Sequence, residues 1–142
     1  MAATAIICLG NRFVAGDDIG CRVYDRLASA STTQGVDVID GGLCGLDLLR
    51  LMEGRRRVVF ADAVAGLAAE GGIAVLDHDE VAAYAVNYGH GAGLPYLLHM
   101  LPRACPPPWP EIALVGADGA ADEATVHALA ARCVEIAIHG IR

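Results

Sequence analysis

Lysine is absent from this 142-residue chain: all ten basic residues are arginine, against seventeen acidic ones, for a net charge of −7. A Walker-type phosphate loop needs a lysine after its glycines, so none can be present. Nor is there a basic stripe able to neutralise a run of phosphates, and nucleic acid is not expected as a partner. No Gly-x-Ser-x-Gly nucleophile elbow occurs. The five cysteines, at positions 8, 21, 44, 105 and 133, show no Cys-x-x-Cys spacing and sit partly in apolar runs. Reduced, mostly structural thiols are the expectation. Long uninterrupted apolar runs are also missing, although apolar residues make up 55% of the chain and mean hydropathy is +0.46. The best candidate, over 81–102, carries no charge but is broken by Asn87, Gly89, His90, Gly91, Gly93 and Pro95. A membrane-spanning helix wants about 20 predominantly apolar residues, so no membrane insertion is expected. The start, Met-Ala-Ala-Thr-Ala-Ile-Ile-Cys, has no basic segment ahead of its apolar run. A cytoplasmic protein is therefore expected.

What is there is an alternation of short apolar runs and helical periodicity. Ala5-Ile6-Ile7-Cys8-Leu9 reads as a first buried strand, and Ile19, Val23 and Leu27 lie on one face of a helix over 19–28. Further strands are predicted over 36–39, 58–61, 73–76 and 112–115, with helices over 46–52, 94–101 and 123–138. The proline-rich stretch 102–110 cannot supply ladder hydrogen bonds and reads as an extended connection. Continuous apolar strands interleaved with helices imply an α/β fold, doubly wound: a mostly parallel five-stranded sheet flanked by helices, in a single domain over 1–142.

In such sheets ligands bind beyond the carboxyl ends of the strands. Asp17 and Asp18 follow the first strand and stand just before a helix, where one carboxylate can cap the helix while the other faces a cleft. Asp62 follows the third strand, and His90 lies between glycines in a later loop. Two carboxylates and an imidazole suit a borderline divalent metal such as nickel, iron or zinc. The rival cluster Asp77-His78-Asp79-Glu80 is explained more simply as helix capping. His99, His127 and His139 fall on predicted helices. The glycines of Gly89-His90-Gly91-Ala92-Gly93 match a dinucleotide fingerprint only loosely, since no clear strand precedes them.

Taken in order, these residues resemble the motifs of the hydrogenase maturation endopeptidases. Leu9-Gly10-Asn11 with Asp17, Gly20 and Val23 is similar to the first motif. Asp40-Gly41-Gly42 with Gly45-Leu46-Asp47-Leu48-Leu49 is similar to the second, Ala61-Asp62-Ala63 to the third, and His90 with Gly93-Leu94 and Leu97-Leu98 to the fourth. The matches span about two thirds of the chain, over 6–98. The resemblance implies that Asp17, Asp62 and His90 bind nickel presented by the substrate, or a surrogate divalent metal. It further implies removal of a C-terminal peptide from a [NiFe] hydrogenase large-subunit precursor once nickel has been inserted. Two departures stand out. Gly16 precedes the acidic pair, and an ungapped count from Asn11 gives Asp17 the ligand position and Asp18 the small-residue position. After Leu114-Val115-Gly116 the chain continues Ala117-Asp118-Gly119, where the family often has a proline-containing loop.

Three other readings compete. Cys44, in a glycine-flanked loop, and His90 form a possible thiol-protease pair. A non-catalytic nickel chaperone would dock on the precursor without cutting it. A doubly wound module would bind a nucleotide or flavin at its switch point.

Overall fold

The computed structural model describes residues 1–30, 35–64, 72–88, 93–118 and 121–141, with backbone alone for 85–88. Its five strands are β1 (Thr4–Leu9), β2 (Val36–Gly42), β3 (Arg57–Ala63), β4 (Ile73–Asp77) and β5 (Glu111–Ala117). They form one sheet in the order β2-β1-β3-β5-β4. All neighbours are parallel except β4, which runs antiparallel to β5 at the edge. The predicted doubly wound, mostly parallel five-stranded sheet is thus the observed one.

Successive side chains of a strand point to opposite faces, and here both faces are covered. Ala5, Ile7 and Leu9 of β1 join Val58 and Phe60 of β3 in one core cluster, against α2 (Leu49–Met52), α3 (His78–Tyr88) and α4 (Leu94–Ala104). Ile6 and Cys8 join Val59 and Ala61 in the other, against α1 (Ile19–Ala28) and α5 (Glu123–His139). This is why β1 reads as an unbroken apolar run: every one of its residues is buried. Full burial of a side chain the size of Ile6, Ile7 or Phe60 is worth about 1.5–3 kcal/mol, so the central strands carry much of the stabilisation.

Three local findings refine the sequence reading. The expected helix over 46–52 is a 3-10 turn, Leu46–Leu48, running into the single turn of α2. Helix α3 is an addition to the elements expected above. It opens with a capping box in which Glu80 N donates to Asp77 Oδ1 (2.9 Å) and Asp77 N donates to Glu80 Oε1 (3.1 Å). The Asp77 to Glu80 cluster therefore has the capping role assigned to it. Helix α4 continues to Ala104 and takes in Pro102, which was expected to begin the extended connection. A proline in the last turn removes only one donor, and the end is closed by Cys105 N donating to Leu101 O (2.9 Å) and Arg103 Nη1 donating to His99 O (2.8 Å).

Arg55 is buried and ties three segments together. Its Nε donates to Leu51 O (2.5 Å), and its Nη1 donates to Ala2 O (2.8 Å) and to Asp37 Oδ2 (2.6 Å). The backbone ahead of β1, the carboxyl end of α2 and β2 are thereby held in register around one guanidinium.

Helix α1 descends directly onto the carboxyl ends of β1 and β3. A Cβ at Gly20 would overlap the carbonyl oxygen of Leu9 and come within 2.8 Å of that of Ala61. Only glycine permits this approach, and it fixes where the loop ahead of α1 can lie.

Candidate active site

In the strand order, β1 leads by way of α1 to β2 on one side, whereas β3 lies on its other side. The gap between β1 and β3 is the topological switch point of the sheet, where a crevice opens beyond the carboxyl ends. Asp17 is carried there by the β1–α1 loop and Asp62 by the last residues of β3, where it pairs with Gly116 of β5. Both line one cavity of about 250 Å³, together with Val64, Val81 and Tyr84 and with Gly93, Leu94 and Pro95 at the start of α4.

The loop that presents Asp17 is shaped by Asn11. Its side-chain Oδ1 accepts from Phe13 N (3.0 Å), and its backbone N donates to Asp17 O (2.8 Å). Asp17 N donates to Val14 O (3.0 Å), closing the turn, and Gly10 N donates to Gly42 O (2.9 Å), fastening the loop to the end of β2. Gly10 has φ +145°, and a Cβ there would overlap the Asp17 carbonyl oxygen. Leu9-Gly10-Asn11 is thus a device for holding the backbone of Asp17 against the strand end.

Asp62 accepts a hydrogen bond from Ala63 N at Oδ1 (2.8 Å), and its other oxygen has no hydrogen-bond partner among the described residues. Burial pushes its carboxyl up from about 3.8 to about 7, the charge of Asp17 adds to the rise, and the Ala63 N–H opposes it. Two carboxylates lining one cavity repel one another. A cation between them would remove that repulsion, so this pair fits the divalent ion the sequence reading called for. Among the described residues, no group of three or more His, Cys, Asp or Glu side chains is arranged to hold a metal ion. The third predicted ligand, His90, lies outside the described residues.

Asp18 occupies the N-cap position of α1, but its side chain makes no capping hydrogen bond. Its backbone explains this departure from expectation: φ −101° and ψ 5° are far from the extended conformation that turns a cap side chain back onto the helix amides.

Cys44 also approaches the site, at φ +63° and partly buried. Burial pushes its thiol up to about 12, and the charge of Asp62 adds to the rise. A nucleophilic cysteine needs the reverse, a thiolate favoured by positive neighbours, which argues against the thiol-protease pairing. His78, by contrast, lies at the opposite end of the sheet. It lines a separate hollow with Arg57 and Glu111, the first residues of β3 and β5.

The sequence reading did not single out Val81 and Tyr84, which wall the cavity. They belong to α3, whose Ala-rich, weakly amphipathic sequence hid the helix that carries them.

A family model described as HycI, hydrogenase maturation protease, matches residues 21–130, well over half of the chain. The chain belongs to the hydrogenase maturation protease family. The matched stretch contains Asp62 and His90 and begins just after Asp17. Among solved structures, the chain is similar to the hydrogenase maturating endopeptidase HybD of Escherichia coli, at 27% identity over 95% of this chain and 88% of that one, with a TM-score of 0.73. An endopeptidase from Escherichia coli is 25% identical over 100% of this chain and 93% of that one, with a TM-score of 0.74. The [NiFe] hydrogenase maturation protease HybD of Thermococcus kodakarensis shares the fold, at 23% identity over 97% of both chains and a TM-score of 0.58. A comparison with the curated proteins finds no match.

Proposed function

We propose that this chain is the endopeptidase that removes the C-terminal peptide of a [NiFe] hydrogenase large-subunit precursor after nickel insertion, with Asp17, Asp62 and His90 reading the nickel that the precursor presents. The observation that carries the reading is the convergence of Asp17 and Asp62 on one cavity at the switch point, where burial raises the Asp62 carboxyl and the charge of Asp17 adds to the rise. Family membership supports the peptidase activity. The two carboxylates would take hard positions on the ion, and a neutral imidazole at His90 would complete the set.

Carboxylate and imidazole donors do not by themselves prefer nickel to the stronger binder copper. Selection then rests on the ion already held by the precursor, so the metal is a feature of the substrate that licenses the cut. A carboxylate lining the cavity would also accept a proton from an attacking water and return it to the leaving amine, which gives Asp62 a second role. Its Oδ1 is held by Ala63 N, and the residue lines the cavity.

The test is to incubate purified protein with nickel-loaded and nickel-free precursor and follow the mass of the large subunit. Shortening of the loaded form alone is the expected result. Docking without shortening would indicate a chaperone, and equal cutting of both forms would remove the metal from recognition. His90→Gln should weaken affinity for a divalent ion and flatten its fall between about pH 7.5 and 5.5, because an unperturbed histidine titrates near 6.5. An unchanged slope would show that another histidine is the ligand.

A further inference from the structure

The loop that delivers Asp17 carries something else on its outer side. Phe13 is 94% exposed and Val14 47%, and on the neighbouring loop after β2 Leu43 is 75% and Leu46 45% exposed. Phe13 and Leu43 line one open hollow of about 490 Å³, floored by Gly10, Asn11 and Gly42. The Gly10 N to Gly42 O hydrogen bond (2.9 Å) makes the two loops one platform. Single exposed apolar side chains are ordinary, but four large ones on two joined loops at one end of a sheet are a surface waiting to be covered.

Its frame is predominantly acidic. Asp40 and Asp47 are exposed on the same side of the fold, and Asp17 and Asp18 are partly so. Of the nearby cations, Arg50 is exposed on α2 one turn beyond Leu46, and Arg12 has its charge offset by Asp25, to which it donates from Nη1 (2.7 Å) and Nη2 (3.0 Å). The Asn11 turn couples the platform to the cavity, because Asn11 holds Phe13 with its side chain and Asp17 with its backbone. Whatever presses on Phe13 therefore bears on the loop that sets Asp17.

We infer that Phe13, Val14, Leu43 and Leu46 form the docking surface for the folded body of the precursor, taking an apolar patch framed by basic residues beside the precursor's metal site. This rests on the proposed function for the identity of the partner. It adds where affinity resides: on an exosite outside the cavity. A substrate that presents one ion and one scissile bond offers a cavity of about 250 Å³ too little area for a specific protein complex, and buried apolar anchors supply the remainder.

The experiment measures the Kd of nickel-loaded precursor for wild type, Phe13→Ser, Leu43→Ser and the double variant, with Phe13→Leu as the conservative change. Ile138→Ser is the control, since Ile138 is 51% exposed on α5, away from both loops. Kd should rise about tenfold in each serine variant and further in the double, whereas Phe13→Leu and Ile138→Ser stay near wild type. The variant sites are exposed, so thermal unfolding should be unchanged and loss of binding is not loss of fold. An unchanged Kd in the double variant, an equal loss in Ile138→Ser, or no binding of precursor to wild type overturns the proposal. A wild-type dimer that Phe13→Ser converts to monomer without changing Kd makes the platform a self-association face and overturns it too. Association that does not slow with added salt overturns the basic frame. Failure of wild type to shorten the precursor, with the Kd pattern intact, sinks the protease reading and leaves the docking surface standing.

Discussion

At the scale of single residues, Asp62 carries a conflict between stability and function. The folded protein holds a proton that the unfolded chain releases near pH 4, because the folded-state carboxyl is pushed up to about 7. Below about pH 4 both states are protonated and no cost arises. As pH rises through the interval from 4 to 7 the folded state is progressively penalised, and above 7 the penalty is complete, on the order of 4 kcal/mol. Asp62→Asn keeps an acceptor for Ala63 N and removes the charge. It should therefore raise the Tm at pH 8, change it little at pH 4, and abolish processing of the precursor. Thermal unfolding at the two pH values decides the matter: a lower Tm at pH 8 would show that the carboxylate is not strained.

The acidic pair gives a second residue-scale prediction. Asp17 lines the cavity while the Asp18 side chain makes no capping bond. Asp18→Asn should thus cost little in either stability or metal affinity, within about 0.5 kcal/mol. Asp17→Asn should weaken divalent-ion binding by at least tenfold, since it removes a negative ligand. Titration calorimetry on both variants separates them, and a larger loss in Asp18→Asn would show that the ligand position is one residue further on. The types and order of these residues were legible in the sequence. Their meeting was not, because β1 and β3 become neighbours only when β2 is placed on the outside of β1, and residue spacing does not encode that order.

At the scale of elements, the seating of α1 is the most sensitive joint. Gly20→Ala must push the helix off the Leu9 and Ala61 carbonyls. Overpacking of this kind costs about 1–3 kcal/mol or more, and it shifts the loop bearing Asp17 as well. Chemical denaturation should show the loss, and divalent-ion affinity should fall with it. Full stability in Gly20→Ala would mean that α1 tolerates displacement and that the close approach is incidental. Strands were the readily legible elements, because two-sided burial leaves an apolar run such as Ala5 to Leu9 with no other comfortable place. Helix α3 was harder: its first turn is acidic, its body is alanine and valine, and among its described side chains only Val81 is fully buried. Periodicity fails where one side of a helix is small rather than polar. The end of α4 failed for another reason, since a proline in the last turn forgoes one hydrogen bond while Cys105 N and Arg103 close the turn regardless.

At the scale of the whole molecule, all five cysteines are free, and Cys8, Cys21, Cys105 and Cys133 are buried. Burial pushes the thiols of Cys8, Cys21, Cys105 and Cys133 up, as it does that of Cys44. Reaction with a thiol reagent at pH 8 should be slow and amount to less than about one equivalent in the native state, rising to all five on denaturation. A fast native equivalent assigned to Cys44 by peptide mapping would reopen the case for a reactive thiol beside Asp62.

The reversed direction of β4 has a practical consequence. Strand β4 ends near where β5 begins, so His78 and Asp79 sit on the floor of the molecule, beside Arg57 and Glu111, while the acidic cavity and its apolar lip occupy the roof. A fluorophore or surface tether attached at Asp79, whose side chain is fully solvated, would leave the roof facing outward. Immobilised in that orientation, the protein presents a bulky precursor with an unobstructed approach, whereas coupling through Leu43 would bury the same face against the support.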